Sequence, residues 1–324
     1  MDTPDGLISA LVLDGQGGAA PLDLAGAAAW SADDGSLWLH LEREHPETAT
    51  RLREACGLSE LVVSALLDDD ARPRTRPHPG GLLVVLRGVN LNEGAEPDDM
   101  ISLRMWVDAT RVISLRTPKL RAVMDLREQL AAGEGPTTPG ALLAALVGAL
   151  TEHVAPVVLA LDDRIDDMEE ELLDSPDGDM RLDLAGARRQ AITLSRYLTP
   201  QREAVTRLAE LPRGVLSDAD RACLHEGANR TTRYLEDLNA LRERAAVIQE
   251  ELLMLHSDRM NRTMYILSVV AAIFLPLGMI TGLLGINVGG MPGVDSHWAF
   301  LGVCGLLVVL GILEYLALKW WKLL

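Results

Sequence analysis

Tyr265–Leu284 reads YILSVVAAIFLPLGMITGLL, and Trp298–Leu318 reads WAFLGVCGLLVVLGILEYLAL. A helix that crosses the hydrocarbon core of a bilayer needs about 20 predominantly apolar residues, and both stretches have that length. The first stretch contains no charged side chain, and the second contains one, Glu314, near its C-terminal end. The sequence therefore predicts two transmembrane helices, 265–284 and 298–318, joined by a loop at 285–297.

Basic residues around these two stretches predict their orientation. Arg259 and Arg262 precede the first stretch, a basic tail at 319–324 follows the second, and the loop 285–297 contains neither Lys nor Arg. Because cytoplasmic flanks carry an excess of Lys and Arg, both termini are expected in the cytoplasm and the loop outside, with membrane lipids around the helices. The N-terminus lacks the basic start of a signal peptide, so the C-terminal stretches are expected to direct insertion.

The formal net charge is −17, although the mean hydropathy is slightly positive, at +0.13. From Tyr265 onward, Asp295 and Glu314 balance Lys319 and Lys322, so the whole excess of negative charge lies on residues 1–264. An acidic body of this kind concentrates cations and argues against nucleic acid as a partner. The three cysteines have no paired spacing and predict no disulfide framework.

The rest of the chain divides into two cytoplasmic parts. Residues 1–135 alternate short β-rich runs with helical patterns, which predicts an α/β domain. Residues 136–264 are predicted to form a helical and stalk region, in which 140–211 reads as two helices hinged near Ser175–Gly178. The β-rich runs are Leu7–Leu13, Ser36–Leu41, Leu82–Val89, Ile101–Val107 and Arg111–Leu115.

One long helix is predicted ahead of the first transmembrane stretch. Ser217 and Asp220 are typical of a capped helix start, and no proline follows until Pro276. Apolar or small residues recur at about 3.5-residue spacing from Leu224 to Leu255, the pattern of helices that pack on helices. A single helix over Ser217–Leu284 would be about 100 Å long, of which the bilayer core takes only about 30 Å.

The segment after the first stretch reads Gly285-Ile286-Asn287 and continues into Val288-Gly-Gly-Met-Pro-Gly293. A glycine-rich turn at a membrane exit leaves backbone carbonyls unpaired, which is tolerated only where they face protein or water. Asn287 adds an amide oxygen at the same place. Several copies around an axis would present a ring of oxygens that can hold a cation through its water shell.

This segment, together with the order of the parts around it, resembles the CorA superfamily of metal-ion transporters. The signature of that family is Gly-Met-Asn at the end of the first of two C-terminal spans, and the Ile286 variant with a Gly-Gly-Met-Pro-Gly loop resembles its ZntB-type zinc branch. The resemblance implies a funnel-shaped homopentamer in the bacterial inner membrane, with no enzymatic activity and no cofactor. It also implies transport of Zn²⁺, with Mg²⁺, Co²⁺ and Ni²⁺ as rival cargoes.

The resemblance also implies which residues line a conduction path. Positions that count back from Asn287 at helical spacing share one face, and the family's pore-lining residues fall on the same offsets. Asn287 would hold a hydrated ion, with Gly285 and Ile286 forming its turn, and the inner residues of this face would gate the pore by dewetting. The other residues of this face are Gly282, Gly278, Leu275, Ala271, Leu267 (or Ser268), Met264 and Asn261. An alternative interpretation is that the glycines only allow close packing of helices.

No carboxylate or His lies between Tyr265 and Asn287, so groups for proton coupling or ion attraction must lie at the ends of the helices. The candidates are Asp258, Asp295, His297 and Glu314. The acidic run at 162–171 is interpreted as a solvated face. Cys223 and Glu226 are interpreted as exposed or interhelical polar residues, and a zinc site at these two positions is the less favoured alternative. Two further functions stay open: a CorA-type Mg²⁺ or Co²⁺ channel, and a membrane-tethered sensor or scaffold.

Overall fold

The computed structural model describes residues 5–69, 72–174, 180–211, 214–286 and 297–320. They belong to two compact units, Met1–Gln249 and Glu250–Leu324. The first unit contains a seven-stranded sheet and most of the helices. The strands are β1 (Leu7–Leu13), β2 (Ala19–Leu22), β3 (Ser36–Glu42), β4 (Arg74–His78), β5 (Gly81–Gly88), β6 (Ile101–Val107) and β7 (Arg111–Arg116).

Nine α-helices are described in these residues, together with a short 3₁₀ turn at Ala32–Asp34. The first four lie among or directly after the strands, and the remaining five follow in sequence. They are α1 (Leu24–Ala29), α2 (Thr48–Glu54), α3 (Glu60–Leu67), α4 (Arg121–Ala132), α5 (Pro139–Glu152), α6 (Val154–Asp174), α7 (Met180–Ala209), α8 (Asp218–Leu284) and α9 (Ala299–Trp320). The predicted α/β domain and long helix are both present.

The sheet has the order β2-β1-β3-β7-β6-β5-β4 and is mixed. Only β3 and β7 pair in parallel, and the other neighbours are antiparallel. Both faces of the sheet are covered. Trp38 and Leu103 pack toward α4, α5 and α7, whereas Leu83 and Ile113 pack toward α2 and α3. Burial on both faces explains why the central strands are nearly continuous apolar runs.

The interpretation of 140–211 as two helices is wrong, because three helices occupy this segment. α5 ends at Glu152 and α6 begins at Val154, only one residue later. Pro156 lies in the first turn of α6, where its missing N–H costs no intrahelical hydrogen bond. The predicted hinge at Ser175–Gly178 lies outside the described residues.

Three helical segments among the described residues are long and apolar enough to cross a membrane: Pro139–Leu172, α8 and α9. They differ in burial. The most apolar window of Pro139–Leu172 is 56% buried inside the protein, whereas the corresponding windows of α8 and α9 are 0% buried. The first segment, which comprises α5 and most of α6, therefore packs within the Met1–Gln249 unit, since its apolar side chains already have partners within the chain.

A histidine without solvent contact lies in the core of the same unit. His40 on β3 pairs in register with Ser114 on β7, and its Nδ1 is 2.7 Å from the Ser114 hydroxyl. Trp38 Nε1 donates to the same hydroxyl, at 2.8 Å. Burial, reinforced by the nearby charges of Arg116 and Arg127, lowers the pKa of His40 from 6.5 to about 3. His40 is therefore neutral at physiological pH.

Candidate functional site

The start of α8 is fixed by a reciprocal cap. The Ser217 hydroxyl accepts from the backbone N–H of Asp220 at 3.1 Å, and the Asp220 carboxylate accepts from the N–H of Ser217 at 2.8 Å. Both bonds satisfy backbone donors that the first helical turn leaves unpaired. The helix then runs for 67 residues, through Pro276, to Leu284. The candidate pore residues on its far half are thus on the same helix as this capped start.

The first half of α8 packs within the Met1–Gln249 unit. Its buried residues repeat at the spacing expected of a helix–helix seam, as the sequence predicts. They are Asp220, Leu224, Gly227, Ala228, Thr231, Leu235, Leu238, Leu241, Ala245 and Ile248. Leu224 and Ala228 belong to the main core cluster of the unit. This half of the helix therefore has its packing partners in its own chain.

Arg244 joins α8 to the acidic helix α6. Its Nη1 lies 2.8 Å from Asp162 Oδ1, its Nε and Nη2 contact both carboxylate oxygens of Glu169 at 2.9 and 2.8 Å, and Nη2 also contacts Asp166. The hydrogen bonds that Arg244 donates to Glu169 and Asp166 raise the pKa of its guanidinium above the usual 12.5. The solvated-face interpretation of 162–171 missed this contact. The sequence contains a pattern that indicates this contact: Asp162, Asp166 and Glu169 follow an i, i+4, i+7 spacing, which places the three acids on one helix face.

The predicted pore residues from Asn261 to Gly282 all lie on the second half of α8. No described residue of α8 after Ile248 is buried, and none of α9 is buried. Met264, Leu267 and Leu275 expose 60%, 68% and 76% of their surface in the single chain. Large apolar side chains that are exposed contiguously mark a surface that a membrane or another protein covers.

The end of α8 is described as far as Ile286. The N–H of Gly285 donates to the carbonyl of Thr281 at 2.9 Å and to that of Gly282 at 3.2 Å, and Ile286 is 51% exposed. The helix therefore closes with a tight turn at the residues of the motif. Asn287 and Asp295 lie outside the described residues.

The remaining end-located candidates differ in their surroundings. Asp258 on α8 and His297 before α9 are exposed. Glu314 on α9 is only partly exposed, and its Oε2 atom is buried with no hydrogen-bond partner among the described residues. A carboxylate on an apolar membrane-type helix is costly and is by default a candidate functional group. The structure thus distinguishes Glu314 from the other two.

Among the described residues, no three His, Cys, Asp or Glu side chains gather in the geometry of a metal site. Cys223 is exposed, and the carboxylate of Glu226 is paired with Arg230 at 3.0 Å and Arg233 at 3.4 Å. The two arginines lower the pKa of Glu226, with the Arg230 hydrogen bond as the largest cause. This glutamate therefore has a structural partner on its own helix.

Comparison with known proteins adds the decisive observation. Residues 33–319 match the family described as CorA-like Mg²⁺ transporter protein. The chain belongs to the CorA-like family. It is 42% identical to the divalent cation transporter CmaX of Pseudomonas aeruginosa, over 98% of this chain and 95% of that protein. It is 35% identical to the zinc transport protein ZntB of Yersinia enterocolitica, over 95% and 92%.

A solved structure of this CorA-like family extends the similarity to the fold. The structure of the full-length CmaX protein superposes with a TM-score of 0.85 at 41% identity, covering 99% of this chain and 98% of the other. The resemblance seen in the sequence is thereby confirmed, including the ZntB relationship. CmaX shares more identity with the chain than this ZntB protein does. These CorA-like relatives carry the names of transporters rather than enzymes, as the resemblance implies.

Proposed function

We propose that the chain is the subunit of a homopentameric divalent-cation transporter of the bacterial inner membrane. The change in burial along α8 supports the proposal. The first half of this helix is buried in its own unit, whereas the second half has no buried residue. In the proposed organisation, 1–135 is the cytoplasmic α/β domain, 136–264 the stalk region, 265–284 and 298–318 the transmembrane helices, 285–297 the external loop and 319–324 the cytoplasmic tail. Five copies would form a funnel with the first transmembrane helix around its axis.

The proposed pore uses amide and carbonyl oxygens rather than charged ligands. Asn287, in its Gly285-Ile286 turn, would form the outer selectivity ring for a hydrated ion. Asn261, Met264 and Leu267 would form the inner gate, where apolar side chains stop conduction by excluding water. Between these two places the face consists of Ala271, Leu275, Gly278 and Gly282. All residues of this face from 261 to 282 lie on described helix, at spacings that place them on one side of α8.

Zn²⁺ is the proposed preferred cargo, with Mg²⁺, Co²⁺ and Ni²⁺ as rivals. The names of the ZntB relatives support zinc, whereas the family description supports magnesium. The external loop contains a single charge, Asp295, so electrostatic attraction of strongly hydrated Mg²⁺ to the mouth would be weak. Inward movement of either divalent ion gains about 4.6 kcal/mol per 100 mV of membrane potential, twice the value for a single charge.

The test is metal uptake into proteoliposomes that contain the full chain, with Zn²⁺ and Mg²⁺ compared at several imposed pH gradients. Zn²⁺ uptake that responds to the pH gradient, with little Mg²⁺ uptake, supports the zinc proposal. Strong Mg²⁺ uptake driven by voltage alone would instead support a CorA-type channel.

Glu314 is the proposed proton-responsive group, because its Oε2 is buried with no hydrogen-bond partner in the described part of the chain, whereas Asp258 and His297 are exposed. We expect Glu314→Gln to reduce the dependence of uptake on the pH gradient while uptake at zero gradient persists. His297→Gln is the matched control, since His297 is exposed. If both variants kept the full pH response, Glu314 would not be the coupling group.

The second candidate function is a membrane-tethered sensor or scaffold, which the extensive soluble unit would suit. Asn287→Ala separates the two functions. The transporter proposal expects uptake to be abolished while the oligomer, measured by light scattering in detergent, stays intact. A scaffold has no need of an amide at this position and takes up no metal in the parent protein, so neither uptake nor the oligomer would change.

A further inference from the structure

A cavity of about 320 Å³ lies in the Met1–Gln249 unit, between the sheet and helix α1. Leu39 and Leu41 of β3 and Ile113 of β7 form its floor, and Ala27 and Trp30 close the opposite side. These floor residues are almost fully buried. The cavity is thus an apolar space within the α/β unit, and it has no residue in common with the proposed ion path.

The cavity exists because five of the six residues of α1 are Ala or Gly. The helix reads Leu-Ala-Gly-Ala-Ala-Ala, and none of its residues is buried. The helix is nevertheless held in place, since the Asp23 carboxylate accepts from the N–H of Gly26 at 2.7 Å and Trp30 Nε1 donates to the carbonyl of Gly35 at 3.1 Å. A fixed helix with methyl-sized side chains covers the leucine floor without filling the space above it.

The charged side chains among the residues that line this cavity are two arginines, Arg51 and Arg111. Arg111 uses Nε for Asp108, at 2.9 Å, and Nη2 for the carbonyl of Cys56, at 2.8 Å. Its Nη1 makes no hydrogen bond to any residue that the structure describes. Arg51 pairs with Glu47 through one terminal nitrogen and with the carbonyl of Asp5 through the other. Asp108 and Glu47 are not part of the lining, so the charged groups of the wall are two guanidiniums, each of which is paired with one carboxylate behind the wall.

We propose that this cavity binds a small amphipathic carboxylate, with its apolar part on the leucine floor and its carboxylate at Arg111 and Arg51. Apolar walls with a few convergent polar groups are the usual composition of a small-molecule site. A guanidinium favours a carboxylate through charge-assisted hydrogen bonds. At about 30 Å³ for each water-sized group, the volume holds on the order of ten non-hydrogen atoms, the size of octanoate. The proposal is independent of the transport function.

Cys56 provides a direct readout of occupancy, because it lines the cavity and is 7% exposed. The experiment uses the full chain in lipid nanodiscs, with Cys223→Ser and Cys304→Ser so that Cys56 is the sole thiol. The alkylation rate of Cys56 is measured against octanoate concentration. At ten times its dissociation constant, a ligand leaves about one-eleventh of the sites free, so alkylation should slow about tenfold.

Two leucine substitutions on α1 form a matched pair of controls. Ala27→Leu fills the cavity, whereas Ala29→Leu adds the same side chain outside its lining. We expect octanoate to protect Cys56 in Ala29→Leu as in the parent, and to give no protection in Ala27→Leu. Tryptophan fluorescence on heating reports whether each variant is folded. If Ala27→Leu does not fold, Ala28→Leu is the second cavity-filling variant.

Octanol tests recognition of the carboxylate, since it has the same chain without the charge. Loss of the charge-assisted bonds should weaken protection about tenfold relative to octanoate. Equal protection by octanol, or protection by octanoate that persists in Ala27→Leu and Ala28→Leu, would overturn the proposal. So would failure of octanoate to slow alkylation in the parent.

Discussion

The two halves of α8 have the same backbone conformation but opposite surroundings. From Asp218 to Ile248, ten residues are buried, and Arg244 is bound to three carboxylates of α6. From Gln249 to Leu284 no residue is buried, although this half is the more apolar. The first half therefore has its packing partners in its own chain. Among the residues that the structure describes, none buries the side chains of the second half.

The largest expected effect concerns packing in the first half. Leu238 is 0% exposed, so Leu238→Ala should lower the free energy of unfolding of the soluble unit by about 2–5 kcal/mol. Leu275→Ala is the matched control in the second half, where the side chain is 76% exposed, and should leave that unfolding transition unchanged. Urea unfolding followed by tryptophan fluorescence, to which the buried Trp38 and Trp106 of this unit contribute, measures both. If Leu275→Ala lowered the free energy of unfolding as much as Leu238→Ala, the difference in packing between the two halves of α8 would be contradicted.

A second experiment tests how pH changes the stability of the Met1–Gln249 unit through its buried histidine, His40. The pKa of His40 is about 3 in the folded chain and 6.5 when unfolded, so the unfolded chain binds more protons between these values. Stability is therefore lost as pH falls below 6.5, by about 2 kcal/mol at pH 5 from this group alone. We expect His40→Phe to reduce the difference in unfolding free energy between pH 7 and pH 5 by that amount. An unchanged difference would contradict the assignment.

A smaller effect is expected for the contact between α6 and α8. Arg244→Met should lower the free energy of unfolding by about 1 kcal/mol, because the side chain is 33% exposed and water screens the three ion pairs. The loss should shrink in 1 M NaCl, where the Debye length is about 3 Å. Arg230→Met is the control, since Arg230 pairs with Glu226 and Glu152 on a more exposed surface. Identical effects of the two substitutions would show that Arg244 is an ordinary surface arginine.

Much of the fold could be predicted from the sequence, where one pattern dominates a segment. The capped start at Ser217 and the absence of proline before Pro276 predict α8 to within one residue at its start. The five predicted β-rich runs correspond to β1, β3, β5, β6 and β7. Long, regular patterns of this kind have no competing local signal.

The parts that could not be predicted depend on tertiary partners. β2 and β4 are the two edge strands of the sheet, and they read AAPL and RTRPH. Proline and charged residues argue against a strand in isolation, but an edge strand tolerates them because one side of it needs no ladder bonds. Likewise, the apolar composition of α5 does not reveal whether protein or lipid surrounds it, and only the fold places α5 in the core.

The candidate site stays a prediction from the sequence, and its proposed role depends on which face of α8 would meet water. Exposure in the single chain does not identify that face. Leu267 and Leu275 are 68% and 76% exposed on the proposed pore side, and Ile266 and Val270 are 54% and 44% exposed on other sides. In the proposed assembly, the membrane and neighbouring copies would cover Ile266 and Val270, and Leu267 and Leu275 would face an aqueous path.

The most direct measurement is therefore a cysteine accessibility scan of the second half of α8, in reconstituted protein that carries Cys304→Ser. Cysteine replaces Leu267, Ala271, Leu275, Ile266 and Val270 in turn, and a water-soluble thiol reagent is added during metal uptake. If this face lines the pore, the reagent should block uptake in the variants Leu267→Cys, Ala271→Cys and Leu275→Cys. It should leave uptake unchanged in Ile266→Cys and Val270→Cys. Modification with no helical periodicity, or inhibition confined to Ile266→Cys and Val270→Cys, would contradict a pore lined by this face.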